Sequence, residues 1–349
     1  TLEDAPPPRR DLIKRHLYLV PNSMVVSRGC PHRCDFCYKE AFFRGGKSFY
    51  TQTVEKSLAE IDSLPGKHLY FLDDHLFGNL HFAAELFEGM RGMNRVWQAA
   101  GTVQSILNTK LLEKAVAAGL RSIFVGFETL NRGNLQAQHK LQNLSERGQG
   151  LSSRPTDNEA IQRLHGLGVM INASFVFGMD QDDETVFERT VEWAIQQGVE
   201  TATFHILTPY PGTVLHQRFS TQGRITSQNW DLYDTRHAVF QPAGMTVETL
   251  EAGYWQAYRD FYRWGSILRS ANAHEDWRGS LRHLAYSAGW KKFEPVWDWV
   301  IRFQRVRNFR PLLEALLDKS HQPAALSREK ISPSLLPLPP QRQRLRKSR

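Results

Sequence analysis

Cys30, Cys34 and Cys37 are the only cysteines in the chain, and they fall within eight residues. The stretch reads Ser27-Arg28-Gly29-Cys30-Pro31-His32-Arg33-Cys34-Asp35-Phe36-Cys37-Tyr38. A C-x3-C-x2-C spacing on one loop lets three thiolates face one inorganic centre. A cubane [4Fe-4S] cluster normally takes four cysteines, one per iron. With three, one iron keeps an open position where a small molecule can bind. Zinc is the competing reading, and it asks for four Cys or His ligands, usually in two separated pairs. His32 is a nominal fourth ligand, but it is wedged between two of the cysteines, unlike a finger or ribbon. A disulfide framework fits worse, because three is an odd number and a chain of this size does not depend on staples.

The elements that position this loop alternate between strand-like and helix-like patterns. Short apolar runs over 23–27, 68–72, 96–100, 123–127, 169–177 and 201–207 read as strands. Helical spacing joins Val54, Leu58, Ile61 and Leu64, then Phe82, Leu86 and Met90, then residues 111–118 closed by Gly119. Thr156-x-x-Glu159 reads as a capping box for a helix through Leu167, and Asp182 and Asp183 as the start of one reaching Gln197. A further helix is expected over 213–221. Six βα repeats in about 200 residues imply a parallel sheet with crossover helices, short of the roughly 250 residues of a closed eight-fold barrel. Residues 130–156 read as a long polar gap. Beyond Phe240, Leu250, Tyr254, Tyr258 and Phe261 share one helical face, and two more helical stretches are expected over 279–287 and 295–317.

The 349 residues suffice for one large core or two modest ones. The formal charge of +8 suggests nucleic acid at first sight, but residues 328–349 carry a net +6 of it. This Pro- and Arg-rich tail is expected to be disordered, and the rest of the chain is not read as a nucleic-acid binder. No apolar run reaches membrane-spanning length and no signal peptide is visible, so a reducing, cytoplasmic setting is expected. The opening Thr1-Leu2-Glu3-Asp4-Ala5-Pro6-Pro7-Pro8 reads as a linker, as in a fragment of a longer chain.

In parallel α/β folds ligands gather at the C-terminal ends of strands. The cysteine loop follows the first strand. Asp73 and Asp74 end the second, with the alternative that they cap the next helix. Gln98 and Gln104 flank the end of the third. Glu128 ends the fourth, where a carboxylate after an apolar strand is costly unless it finds a partner. Ser174 lies on the fifth with Asn172, as a ligand contact or a satisfied interior hydroxyl. His205 lies on the sixth, followed by the rigid turn Thr208-Pro209-Tyr210-Pro211-Gly212-Thr213, in which Tyr210 reads as packing.

The cysteine loop, with Arg28-Gly29 before it and Phe36 and Tyr38 around its third thiol, resembles the radical S-adenosylmethionine (SAM) superfamily. Phe71-Leu72-Asp73-Asp74-His75-Leu76-Phe77, Val125-Gly126-Phe127-Glu128-Thr129, Phe204 through Thr213, and Trp230-Asp231-Leu232-Tyr233-Asp234 resemble its cobalamin-type members, over about residues 8–267. The resemblance implies an α/β fold: a partial (β/α)6 TIM-like barrel over 21–240, a linker over 1–20, a mainly helical region over 241–320 and a tail over 321–349. It implies an enzyme whose [4Fe-4S] cluster, on Cys30, Cys34 and Cys37, reductively cleaves SAM to methionine and a 5′-deoxyadenosyl radical that abstracts hydrogen from substrate. It puts Phe36, Tyr38, Asp73, Asp74, Glu128, Ser174 and His205 among the cofactor-binding residues. Members include methyltransferases, so the expectation is the catalytic part of a cobalamin-dependent C-methyltransferase-like protein. Cobalamin itself would come from an upstream domain, the Rossmann-like cobalamin domain that such members carry before the barrel. The alternatives are a cobalamin-independent rearrangement or oxidation, and a non-catalytic cluster-binding fragment. The implied partners are a small substrate, lipid or tetrapyrrole-like, and a flavodoxin or ferredoxin donor.

Overall fold

The computed structural model describes residues 22–43, 47–144, 155–274 and 276–289, and residues 2, 6–15 and 18 of the N-terminal segment. The strands are β1 (Ser23–Met24), β2 (Ser27–Gly29), β3 (Phe49–Thr51), β4 (His68–Phe71), β5 (Val96–Gly101), β6 (Leu120–Glu128), β7 (Met170–Phe177) and β8 (Thr201–Ile206). The helices are α1 (Tyr38–Phe42), α2 (Val54–Ser63), α3 (Leu80–Met90), α4 (Val103–Leu107), α5 (Thr109–Ala117), α6 (Arg132–Ala137), α7 (Pro155–Gly166), α8 (Val186–Gln196), α9 (Val214–Thr221), α10 (Val247–Phe261), α11 (Trp264–Ala271) and α12 (Trp277–Ser287).

Six strands form one parallel sheet in the order β1-β4-β5-β6-β7-β8. Each step along it is a strand–helix–strand crossover, the arrangement expected of a partial barrel. The first expected strand breaks in two. Only Ser23–Met24 joins the sheet, and Ser27–Gly29 pairs antiparallel with β3 instead. Apolar runs gave the other five strands to within a few residues: β6 and β7 are buried along nearly their whole length, β5 and β8 over most of it, and β4 on alternate residues.

Two expected helix starts and the expected gap need correction. α8 begins at Val186, not at Asp182, because Asp182 accepts the Gly178 and Met179 amides in a turn before it. Thr156 lies inside α7, which opens on Pro155, so it is not the residue preceding the helix. The polar gap holds α6 and a 3-10 turn at Leu141–Asn143. Residues 145–154, the helix expected over 295–317 and the basic tail lie outside the described residues.

An aromatic stack unites the last three strands. Phe127, Phe175, Phe204 and Phe177 stack in series at 6.0, 5.8 and 5.5 Å between ring centroids, and Trp193 of α8 meets the first two edge-on. α10 covers this layer with Leu250, Tyr254, Ala257 and Phe261. Its phenols also finish the sheet. β8 is an edge strand, and its outward peptide groups need partners. Tyr258 Oη accepts from the Phe204 amide at 3.1 Å and donates to the Phe204 carbonyl at 3.3 Å. Tyr262 Oη does the same for Ala202, at 3.0 and 2.9 Å. Residues i and i+4 of a helix rise about 6 Å, and residues i and i+2 of a strand about 6.6 Å, so the two spacings match.

Candidate cluster and cofactor site

The cysteine loop is held from both sides. Gly29 starts it with φ +87°, and a Cβ there would sit 2.0 Å from the Ser48 carbonyl oxygen, so only glycine fits. That same carbonyl accepts the Cys30 amide at 3.0 Å. Asp74 accepts the Gly29 amide at 2.8 Å and pairs with Lys39 at 3.3 Å. Asp73 is buried and accepts from the Val26 and Ser27 amides and the Ser27 hydroxyl. Neither aspartate caps a helix. Asn79 caps α3, accepting the His81 and Phe82 amides. The pair therefore braces the strand-to-loop turn.

Cys34 is buried, and Cys30 and Cys37 are half-buried. Burial pushes the Cys30 and Cys34 thiols up, against the nearby ammonium groups of Lys39 for Cys30 and Lys140 for Cys34. Two cations, Lys140 buried and Lys39 half-buried, beside three thiols suit a centre that must be bound as thiolates. The three sulfurs do not converge as they would on a single ion. Among the described residues, the one group of His, Cys, Asp and Glu whose ligand atoms all lie within 4.8 Å is His165, Glu200 and His274. Sulfurs on one tetrahedral zinc stand only about 3.8 Å apart. The donor set and its spread thus fit an iron–sulfur cluster better than zinc.

The segment read as a gap packs directly on this loop. His139 Nδ1 lies 2.8 Å from Asp35, and the Gln138 carbonyl accepts the Asp35 amide at 3.1 Å. Gln142 Nε2 donates to Cys34 Sγ at 3.4 Å. Lys140 Nζ lies 2.7 Å from Glu128 Oε1, with both side chains about nine-tenths buried. Asn143 Nδ2 donates to the Gly126 and Phe127 carbonyls. Sequence reasoning missed His139, Lys140 and Gln142, because a segment with so few apolar residues has no periodicity to read. Glu128 itself is a left-handed residue, φ +65°, at the C-terminal end of β6. Such strain persists where the surroundings impose it, and it gathers at functional sites.

The remaining expected site residues share this end of the sheet. His205 Nδ1 lies 3.1 Å from Thr235 Oγ1. Burial lowers the His205 imidazole and Glu128 opposes the shift, so the two side chains sense each other. Ser174 is buried on β7, in register with Gly126 of β6 and Thr203 of β8. Phe36 packs on the core, and Tyr38 is exposed at the start of α1. Tyr210 is raised by burial and then by Asp234 and Tyr38, so Tyr38 and the Pro-Tyr-Pro-Gly-Thr turn are electrostatic neighbours at the rim. Thr213 closes that turn by capping α9. His75, read as structural, is buried against the His32 ring and lowered to about 3, by burial first.

Similarity to known proteins agrees with this geometry. Bacteriochlorophyllide d C-12(1)-methyltransferase of Chlorobaculum tepidum is 28% identical over 263 residues, 73% of this chain and 54% of that protein. Anaerobic magnesium-protoporphyrin IX monomethyl ester cyclase of Cereibacter sphaeroides is 26% identical over 279 residues, 77% of this chain and 42% of that one. The chain thus spans about half the length of such relatives. The structure of the radical SAM methyltransferase TsrM from Kitasatospora setae, with cobalamin and a [4Fe-4S] cluster, matches the fold. Its TM-score is 0.50 at 15% identity, over 76% of this chain and 51% of that one. The Radical SAM superfamily model matches residues 24–194, which hold the cysteine loop and β1 to β7, and this chain carries a radical SAM domain.

Proposed function

We propose that this chain is the radical-generating part of a cobalamin-dependent C-methyltransferase-like protein. The observation that carries the reading is the cysteine loop: three thiols, no fourth cysteine in the chain, and lysines beside them. Cys30, Cys34 and Cys37 would hold a [4Fe-4S] cluster. When bound, such a cluster supplies one electron for reductive cleavage of SAM at its sulfonium. The protein's own part is to bind, orient and exclude water. Asp73 and Asp74 fix the loop, and Lys39 and Lys140 offset the negative charge of the thiolates. Phe36, Tyr38, Glu128, Ser174 and His205 are the residues proposed to receive SAM at the rim, with Glu128 already ordered by Lys140.

The named relatives support a substrate of tetrapyrrole type, with a lipid as the other apolar class, and the one-electron chemistry calls for a donor such as a flavodoxin or ferredoxin. The second reading is a cobalamin-independent oxidation or rearrangement, and the similarity to a cyclase favours only its reaction type, a change other than methyl transfer. No helix among the described residues is long and apolar enough to cross a membrane.

The test is 5′-deoxyadenosine release from SAM by anaerobically reconstituted, reduced protein, beside Cys34→Ala. Release that vanishes in the variant supports the reading. A chain holding about four irons that yields none refutes it. Transfer of a labelled SAM methyl group only when cobalamin is added separates the first reading from the second.

A further inference from the structure

The opposite end of the sheet holds a second cluster of ligating groups. Glu200 immediately precedes β8, so it sits at the N-terminal end of that strand. His165 ends α7, His274 follows α11, and His283 lies in α12. His165 Nε2 stands 3.5 Å from Glu200 Oε2, His274 Nε2 3.9 Å from Glu200 Oε1, and His274 Nε2 3.2 Å from His283 Nδ1. We propose that His165, Glu200 and His274 form a structural zinc(II) site, which His283, 3.2 Å from His274 but outside the converging trio, completes as fourth donor by shifting inward, and which clips α11 and α12 to the base of the barrel.

Four lines of geometry carry this. First, ligands about 2.0–2.1 Å from a tetrahedral zinc stand about 3.3 Å apart, close to the contacts found. Second, His165 Nε2 is buried and makes no hydrogen bond, although a carboxylate oxygen lies 3.5 Å away. A buried orphan nitrogen costs free energy that a metal would recover. Third, an outer partner of a metal site is present. The Ile171 amide donates to Glu200 Oε2 at 2.9 Å. Fourth, the backbone leaves room: a Cβ on Gly198 would lie 3.5 Å from both His165 Cε1 and His274 Nε2. Three imidazoles and one carboxylate are a borderline donor set suited to zinc.

The site is independent of the cysteines. β8 is six residues long, so its two ends lie roughly 20 Å apart. Position also indicates the role, since the N-terminal face of such barrels serves stability rather than chemistry. Other bonds already anchor the same helices there: Ser270 Oγ donates to the Val199 carbonyl and Ser287 Oγ to the Glu200 carbonyl.

The experiment is elemental analysis of the full chain, anaerobically purified, zinc-supplied and stripped of loosely held metal. Wild type is expected to hold about one zinc per chain besides its iron. The Cys30→Ala/Cys34→Ala/Cys37→Ala variant should lose iron and keep zinc. His274→Ala and His165→Gln should keep iron and lose zinc, with unchanged far-ultraviolet circular dichroism showing that they fold. Cobalt(II) added to the triple-cysteine variant should give visible d–d bands without thiolate charge transfer. Substoichiometric zinc in the wild type, zinc that disappears with the cysteines, or zinc unchanged in both histidine variants would overturn the proposal.

Discussion

Glu128 invites a perturbation whose sign is not obvious. Its φ of +65° is a conformation glycine adopts freely, so Glu128→Gly should relieve about 1–2 kcal/mol of backbone strain. The same change deletes the partner of Lys140, whose ammonium stands 2.7 Å from Glu128 Oε1 in a nearly closed pocket. Breaking a buried pair by removing one member costs about 3–5 kcal/mol, because the other charge is left unpaired. The net expectation is a loss of roughly 1–4 kcal/mol, or a melting temperature lower by roughly 2–16 °C for a domain of this size. Lys140→Met alone lacks the backbone relief and should cost more. The double variant Glu128→Gly/Lys140→Met removes both charges, keeps the relief, and should melt near the wild type. Anaerobic thermal melts followed by circular dichroism on the four proteins give the comparison. A Glu128→Gly protein at least as stable as wild type, or a double variant as unstable as Lys140→Met, would refute the account of a closed, mutually dependent pair.

Further outcomes follow from other contacts. Tyr262→Phe leaves the Ala202 amide and carbonyl without their phenol partner and should cost roughly 1–3 kcal/mol, read by denaturant unfolding and by faster exchange of the Ala202 amide. Burial raises Asp73 to about 6, against hydrogen bonds from Ser27 and Val26. Because the folded value lies above the ordinary 3.8, the stability it contributes is full below about pH 4 and is lost as pH rises through about 6. Across that window wild type should therefore lose stability relative to Asp73→Asn, in melts run as a function of pH. Gln142→Leu removes the donor to Cys34 Sγ and should make a bound cluster's reduction potential more negative, as measured by spectroscopically monitored redox titration.

The cysteine loop, five of the six sheet strands and the aromatic face of α10 were legible because each is written locally, as spacing or periodicity. What escaped depends on pairing between distant positions. Nothing in Arg132–Ala137 or its neighbours announces that Lys140 will meet Glu128 or that Gln142 will reach Cys34. The acidic pair at Asp182-Asp183 looked like a helix start, yet Asp182 is consumed by the turn at Gly178 and Met179. Asp73 and Asp74 were recognised as important, but their grip on the loop backbone emerges only when β1 and β4 lie side by side. The four groups of the proposed zinc site span residues 165 to 283, and no spacing rule connects them.

The phenols on β8 bear on how this protein can be dissected. The family match ends at residue 194, before β8 begins, and a cut at the close of the strand–helix pattern would fall near Phe240. Neither boundary is a folding boundary. A piece ending at Phe240 keeps all six strands but bares the peptide groups of Ala202 and Phe204, and so offers a raw edge to any passing strand, most readily that of another copy. Such pieces should self-associate, whereas those retaining Tyr258 and Tyr262 should not. The smallest autonomous unit is thus set by two hydroxyls on a helix outside the matched domain.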